Sequence, residues 1–210
     1  MPLPVMLNVK KRRCVIVGGG KIGIRKAKQL LEEGAKVMVI GESLHETVPG
    51  VQHIAERYNR ERLLMLDPFL VIAATSDDAT NTIICDDAEA AGVLTMRMDN
   101  PARADVWGLI YEDRDSVTVA IRSGSPYLSR YLLKKFTDQL TPELVTLGGW
   151  MHSLRPHVKN AIEAQPERAA LWKRIFESAI IEQAEAGDLD AAKAILVEII
   201  GSELAQFLPE

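Results

Sequence analysis

The segment CVIVGGGKIG, residues 14–23, constrains this chain more than any other stretch of it. A run of β-branched residues leads straight into a cluster of glycines, and IRKAKQLLEEG follows with apolar residues at Ile24, Ala27, Leu30 and Leu31. That spacing predicts a strand, a glycine turn and an amphipathic helix in immediate succession. Gly34 ends the helix, and KVMVI, residues 36–40, reads as a second buried strand. Two strands joined through a helix are parallel and the crossover is right-handed, so the opening of the chain is one βαβ unit.

The alternation continues. Leu63–Met65 and FLVIAAT, residues 69–75, read as strands, a helix opened by Ser76 or Asp77 follows, and VLTMRM, residues 93–98, reads as a further strand. An open, mostly parallel sheet with helices on both faces accommodates this order. Beyond residue 100 the pattern changes: SVTVAIRS, residues 116–123, alternates as an antiparallel strand does, and pairs in this reading with 106–111 across the turn EDRD. From Ser125-Pro126 onward the pattern is helical, with Ser as N-cap, Pro in the first turn and an apolar face of Leu128, Tyr131, Leu132, Phe136 and Leu140. Further helices are predicted over 142–162, opened by Thr141-Pro142, and over 166–186 and 190–207. Trp150, Trp172 and Phe176 read as core aromatics of that helical part. The expected fold class is α/β: a Rossmann-like parallel sheet domain over 1–112, a small segment over 113–145 and an α-helical C-terminal module over 146–210.

Composition removes several function classes. With 25 Lys and Arg against 29 Asp and Glu the formal charge is −4, which offers no global attraction to nucleic acid. No apolar run approaches the ~18 residues of a membrane span, and MPLPVMLNVKKRRC lacks the order of a secretory signal, so a cytoplasmic protein is expected. Cys14 and Cys85 lie in apolar runs without CxxC spacing, and read as reduced, buried thiols. His45, His53, His152 and His157 have no metal-binding spacing, so no protein metal site is expected.

Gly18, Gly20 and Gly23 fit G-x-G-x-x-G at a strand-to-helix turn, the context in which it fits a dinucleotide. The first glycine permits the turn, the second lets backbone approach a pyrophosphate, and the third lets helix pack on strand. A glycine turn without a ligand is the competing reading. Glu42, about twenty residues past Gly23, is placed to accept from a ribose diol and to repel a 2′-phosphate, favouring NAD over NADP; an ordinary loop charge is its alternative. Asp99, just after a strand and before Asn100-Pro101, is either a reactive carboxylate at the sheet's carboxyl edge or a turn cap. Ser123-Gly124-Ser125-Pro126 is either an anion site at a helix start or a plain cap. Arg122, Arg130, Lys134 and Lys135 bracket it as a receptor for polycarboxylates or as a solvated face.

Together VIVGGGKIGIRKAKQLLEEGAKVMVI, FLVIAATSDDATN, the Asp99-Asn100-Pro101 corner and SGSPYLSRYLLKKF resemble the precorrin-2 dehydrogenase family of siroheme biosynthesis, the stand-alone form of the N-terminal half of siroheme synthase. ERAALWKRIFES and GDLDAA fall where that family has its helical module. The resemblance implies an NAD-dependent oxidation of precorrin-2 to sirohydrochlorin, followed in some members by Fe2+ insertion, in a homodimer that exchanges its middle segment. It makes 113–145 a dimerisation segment. It implies an NAD site at Gly18, Gly20, Lys21, Ile22, Gly23, Gly41, Glu42, Ser43, Thr75 and Ser76, with Asp99 as general base. Ser123, Ser125, Arg122 and Arg130 become candidates for the tetrapyrrole carboxylates. Met96, Val106-Trp107-Gly108 and Gly41-Glu42 depart from the family's usual residues. Partners other than substrate, Fe2+ and a second copy, namely nucleic acid or membrane, are not expected. The alternative function is a regulatory module that senses NAD(H) without catalysis, which needs the glycine turn but has no use for Asp99.

Overall fold

A computed structural model describes residues 3–209 and divides the chain into two units, one ending at Gly108 and the other beginning at Leu109. The first unit is built on five parallel strands, β1 (Arg13–Val17), β2 (Lys36–Ile40), β3 (Gln52–Ile54), β4 (Leu70–Ala73) and β5 (Leu94–Arg97), in the order β3-β2-β1-β4-β5. Crossovers run through α1 (Lys21–Glu32), α2 (Arg60–Met65) and α3 (Asp78–Ala90). β1 lies at the centre. Val17 pairs with Ile40 on one side and Ala73 on the other, and Ala73 pairs with Arg97, so four strands finish at one edge.

The strands are buried on both faces, which is why they read as continuous apolar runs. Cys14 and Ile16 of β1, with Val39, Leu70 and Ile72, pack against Ala27 and Leu30 of α1. Val15 and Val17, with Met38, Ile40, Val71 and Ala73, pack on the opposite face against Leu63, Ile84, Cys85 and Ala88. Both cysteines are free and buried, and burial pushes the Cys14 thiol up to about 11.

Leu63–Met65 is not a strand but the end of α2. Asn59 caps that helix by accepting from the Arg62 amide at 3.0 Å, and only Leu63 of the three residues is buried, as a short helix on a sheet requires. β3, which no apolar alternation announces, extends the sheet beyond β2. The helix expected after the fourth strand begins at Asp78, with Asp77 as its cap accepting from Thr80 at 2.7 Å.

In the second unit β6 (Ile110–Arg114) and β7 (Val117–Ile121) form an antiparallel hairpin. Its turn lies at Asp115, with φ 51°, rather than at EDRD, and Glu112, Asp113 and Arg114 are strand residues. Val106, expected in that strand, instead makes a single parallel bridge to Met96 of β5. Helix α4 (Pro126–Thr137) packs against the hairpin. Ser125 occupies its N-cap position without a side-chain cap bond. The face of α4 expected to be buried is open: Leu128, Tyr131 and Phe136 are exposed, as is Tyr127, and the helix buries Ser129 and Thr137 instead.

The remaining helices are α5 (Pro142–Ala161), α6 (Gln165–Phe176), α7 (Ile180–Glu185), α8 (Leu189–Ile200) and α9 (Ser202–Ala205). The stretch 166–186 is therefore two helices broken after Phe176, and 190–207 breaks at Gly201, whose φ of 78° stops α8. Trp150, Leu154, Ile175, Ile180 and Leu196 form the centre of their core, Trp172 packs at its margin, and Phe176 is exposed rather than internal. Replacing Leu154, fully buried, by Ala should destabilise this unit by about 2–5 kcal/mol, read as a lowered urea midpoint at unchanged slope.

Candidate active site

Gly18 leaves β1 with φ 117°, and its amide donates to Ile40 O at 2.9 Å, tying the turn to the end of β2. A Cβ at Gly18 would lie 2.4 Å from Ala74 O, and one at Gly23 would lie 2.0 Å from Gly18 O. Both contacts are with backbone, so α1 can approach the sheet this closely only with glycine at these positions. Gly19 is equally constrained, its would-be Cβ 2.1 Å from Ser43 O, and the loop Gly41–Ser43 covers it. Gly20 differs, because nothing lies within 4 Å of where its Cβ would be.

That open space sits at the N-cap of α1, where Gly20 supplies no side-chain cap and the first turn holds no acidic residue. The amides of Lys21, Ile22 and Gly23 have no intrahelical acceptor, and together with the helix dipole they favour an anion. The residues present therefore fit the pyrophosphate of a dinucleotide. Glu42 follows β2 at the same edge and pairs with Arg57 at 3.1 Å, in solvent. Arg57, which the sequence reading did not single out, shares the charge that would discriminate against a 2′-phosphate.

The neighbouring strand ends carry a polar network. Thr75, just past β4, donates from its hydroxyl to Asn81 Oδ1 at 2.7 Å, and its amide donates to the same oxygen at 3.0 Å. Asn81 is buried in α3, and its Nδ2 donates to Asp99 Oδ2 at 3.1 Å. From the other side Arg97 Nε donates to Asp99 Oδ1 at 2.8 Å. Arg97 is 3% exposed, and the rest of its guanidinium donates to Thr82 Oγ1 at 2.8 Å and to the carboxylate of Asp78. Asp99 itself is partly open, its side chain 38% exposed. The Arg97 hydrogen bond, helped by Asn81 and opposed by desolvation, holds its carboxyl well below the usual range for Asp. A lowered pKa means that Asp99 stabilises the fold as an anion above the ordinary Asp pKa, and that this contribution fades only as the pH falls through the lower, folded-state value.

Ser76 is exposed beside this network. Arg97, Asn81, Asp78 and Thr82 are its members that sequence reasoning missed. Period-2 alternation carried a signal, since it puts Arg97 and Asp99 on one side of the chain, and an Arg inside an otherwise apolar strand needs a partner.

Ser123, Ser125, Arg122 and Arg130 belong to the second unit. Ser123 Oγ donates to Ser125 O at 2.7 Å and its amide donates to Ser129 Oγ at 2.9 Å, so its hydroxyl is engaged in shaping the turn. Arg122 precedes this turn, and Arg130 lies over the Tyr127 ring at 5.7 Å. Lys134 and Lys135 do not bracket the helix start; they stand in the last turn of α4, where cations favour the negative end of the dipole.

A central strand, a glycine turn with space for an anion and a helix N-terminus facing it place the first unit among the Rossmann-type NAD(P)-binding proteins. The family model NAD_binding_7, described as NAD(P)-binding, matches residues 5–107, and the model for the sirohaem synthase dimerisation region matches 144–200. The siroheme synthase of Nitrosomonas eutropha is 32% identical over 212 aligned residues, covering 97% of this chain and 44% of that protein. Siroheme synthase 2 of Cronobacter sakazakii is also 32% identical, over 96% of this chain and 45% of its own length. The chain thus spans about half the length of the curated relatives it matches. The solved structure of SirC, precorrin-2 dehydrogenase, superposes with a TM-score of 0.72 at 19% identity, over 94% of this chain and 98% of that one, and shows the same fold. Almost the whole chain is thus similar to one part of the siroheme synthases, and the NAD(P)-binding and sirohaem synthase dimerisation-region models match successive stretches of it.

Among the described residues no helix is long and apolar enough to cross a membrane, and no three His, Cys, Asp or Glu side chains gather to hold a metal ion. The glycines make separable predictions. Gly23→Ala should cost about 1–3 kcal/mol, because the added methyl meets a backbone carbonyl. Gly20→Asp should unfold within about 0.5 kcal/mol of the wild type, since the site is open and Asp is a preferred N-cap. Urea unfolding of the two variants distinguishes them.

Proposed function

We propose that this chain is an NAD-dependent dehydrogenase that oxidises precorrin-2 to sirohydrochlorin. The observation that carries the proposal is the clamped carboxylate: a buried Arg and a buried Asn are committed to holding Asp99 at the edge where β1, β4 and β5 end. The names of the relatives, and the fold shared with a protein named as a precorrin-2 dehydrogenase, support the substrate class. A module that only senses NAD(H) has no use for an anion prepared at this cost of burying a guanidinium.

Bound NAD+ would supply the hydride acceptor. The amides of Lys21, Ile22 and Gly23 would hold its pyrophosphate over the space at Gly20, Glu42 and the Gly41–Ser43 loop would take the adenosine ribose, and Thr75 and Ser76 would face the nicotinamide end. Glu42 favours NAD over NADP in this reading. As a carbon of the reduced tetrapyrrole loses hydride, positive charge develops on the conjugated nitrogen system, and the fixed negative charge of Asp99 stabilises it. A proton is then lost from the oxidised macrocycle. The resemblance assigns that step to Asp99 as general base, but a carboxylate held this low is a weak proton acceptor. Its role in this proposal is electrostatic, with the proton passing onward to water.

Ser123, Ser125, Arg122 and Arg130 are proposed to meet the substrate carboxylates, Arg through its bidentate fork. Fe2+ would be a second substrate, inserted into the pyrrole nitrogens with loss of two protons. The homodimer is supported by the matched dimerisation region and by the aromatic face of α4, where Tyr127, Tyr131 and Phe136 stand exposed. Two buried, unpaired thiols accord with a cytoplasmic setting.

The test is an anaerobic assay of the full chain with precorrin-2 and NAD+. One NADH should form per sirohydrochlorin. Asp99→Asn should bind NAD+ within about twofold of wild type and turn over at least about a hundredfold more slowly. Gly20→Asp should fold but not bind NAD+. Wild-type protein that binds NAD+ without forming NADH would instead establish the sensing function. Fe2+ added afterwards reads the insertion step through the siroheme spectrum.

A further inference from the structure

The cofactor edge is not the only place where the first unit gathers charge. At the opposite edge, where the strands begin, a cavity of about 330 Å3 is lined by Lys11, Arg12, Arg13, Lys36, Asp67 and Phe69, with Pro68 beside them. β1 separates it from Gly18 by its five residues, roughly 16 Å of strand. Four cations face one carboxylate there, and Asp67 is already engaged by Arg13, so the cavity is strongly positive in a chain whose net charge is −4.

The backbone holds the cations in place. Lys11 donates its amide to Gly34 O at 2.8 Å, Arg12 donates to Val9 O at 2.9 Å, and Lys36 donates to Arg12 O at 2.8 Å. The Arg12 guanidinium lies 4.9 Å from the centre of the Phe69 ring, which braces it at the wall. Lys11 has φ 62° and Asp67 φ 44°, and the third such non-glycine residue among those described is Asp115 of the hairpin turn. Left-handed backbone disfavours side chains with a Cβ, and glycine would serve either position more easily. Both left-handed residues, Lys11 and Asp67, belong to the lining of this solvent-open depression, and each brings a charge to it.

We propose that this cavity binds a small multivalent oxyanion, phosphate- or carboxylate-bearing, at a site remote from the cofactor edge. The volume stands near the lower limit of small-molecule pockets and suits a ligand with two or three anionic groups. The Arg12 fork matches such a group bidentately, the two Lys add point charge, and Arg13, whose Nε and Nη2 are held by Asp67, contributes field rather than a free fork.

The experiment is calorimetric titration of the full chain at 150 mM NaCl with inorganic pyrophosphate and, separately, with citrate. A Gly20→Asp background keeps either probe off the glycine turn. At least one probe should bind with a Kd below about 1 mM, and the preferred one distinguishes a phosphate from a carboxylate ligand. Arg12→Gln with Lys36→Gln should weaken binding about tenfold or more. Lys11→Gly should weaken it also while raising the thermal midpoint, because it removes a charge and relieves a left-handed side chain. Absence of binding by both probes, or binding that these substitutions leave unchanged, would overturn the proposal.

Discussion

The contact on which the first unit depends is the approach of Gly23 to the carbonyl of Gly18, closer than any side chain permits. It sets α1 down on β1 at the point where β1 ends. Because β1 is central, with β2 and β4 in register on its two sides, fixing α1 there fixes the helix N-terminus relative to every strand end at that edge. Gly18 and Gly19 extend the constraint, to the backbone of Ala74 after β4 and of Ser43 after β2. One turn of four glycines thus holds three loops together and leaves open, at Gly20, the space in which an anion can lie.

A second constraint is electrostatic. Burying a guanidinium is costly unless each of its nitrogens is satisfied, and Arg97 meets that condition with Asp99, Thr82 and Asp78. The reward is local: Asp99 remains an anion while half-open to solvent. Thr75 and Asn81 tie the same carboxylate to the end of β4, so the residues proposed to face the nicotinamide and the residue proposed to face the substrate share one hydrogen-bonded frame. Asp105 secures the far side, accepting from the Thr95 amide at 2.9 Å and holding the segment after Pro101–Arg103 against β5.

Much of this was legible in the sequence where one residue type answers one physical demand. The glycine turn, the buried strands of the sheet, a helix cap at Ser76 or Asp77 and the helix starts at Pro126 and Pro142 follow from local chemistry. What escaped depended on hydrogen-bonding partners that apolar patterning does not report. Leu63–Met65 has strand-like apolarity, yet the Asn59 cap makes it helix. The hairpin turn moved to Asp115 because Glu112–Arg114 pair with Val117–Val119 in a ribbon that stays partly open to solvent, where charged strand residues are tolerated. Arg97 carried no assignment from the sequence, because its partner Asp78, the first residue of α3, is 19 positions away along the chain. The apolar periodicity of α4 was real, but periodicity does not say whether the covering surface belongs to the same chain.

The central claim is that the reactive edge holds a permanently ionised carboxylate, clamped from both sides. Its most direct test is a carbon-detected NMR titration of the Asp99 carboxyl. The account predicts that this resonance stays ionised from about pH 9 down to pH 4, with a midpoint below the ~3.9 of a free Asp, and that Arg97→Gln raises the midpoint. A midpoint above about 4 in the wild type, or one that Arg97→Gln leaves unmoved, would contradict it.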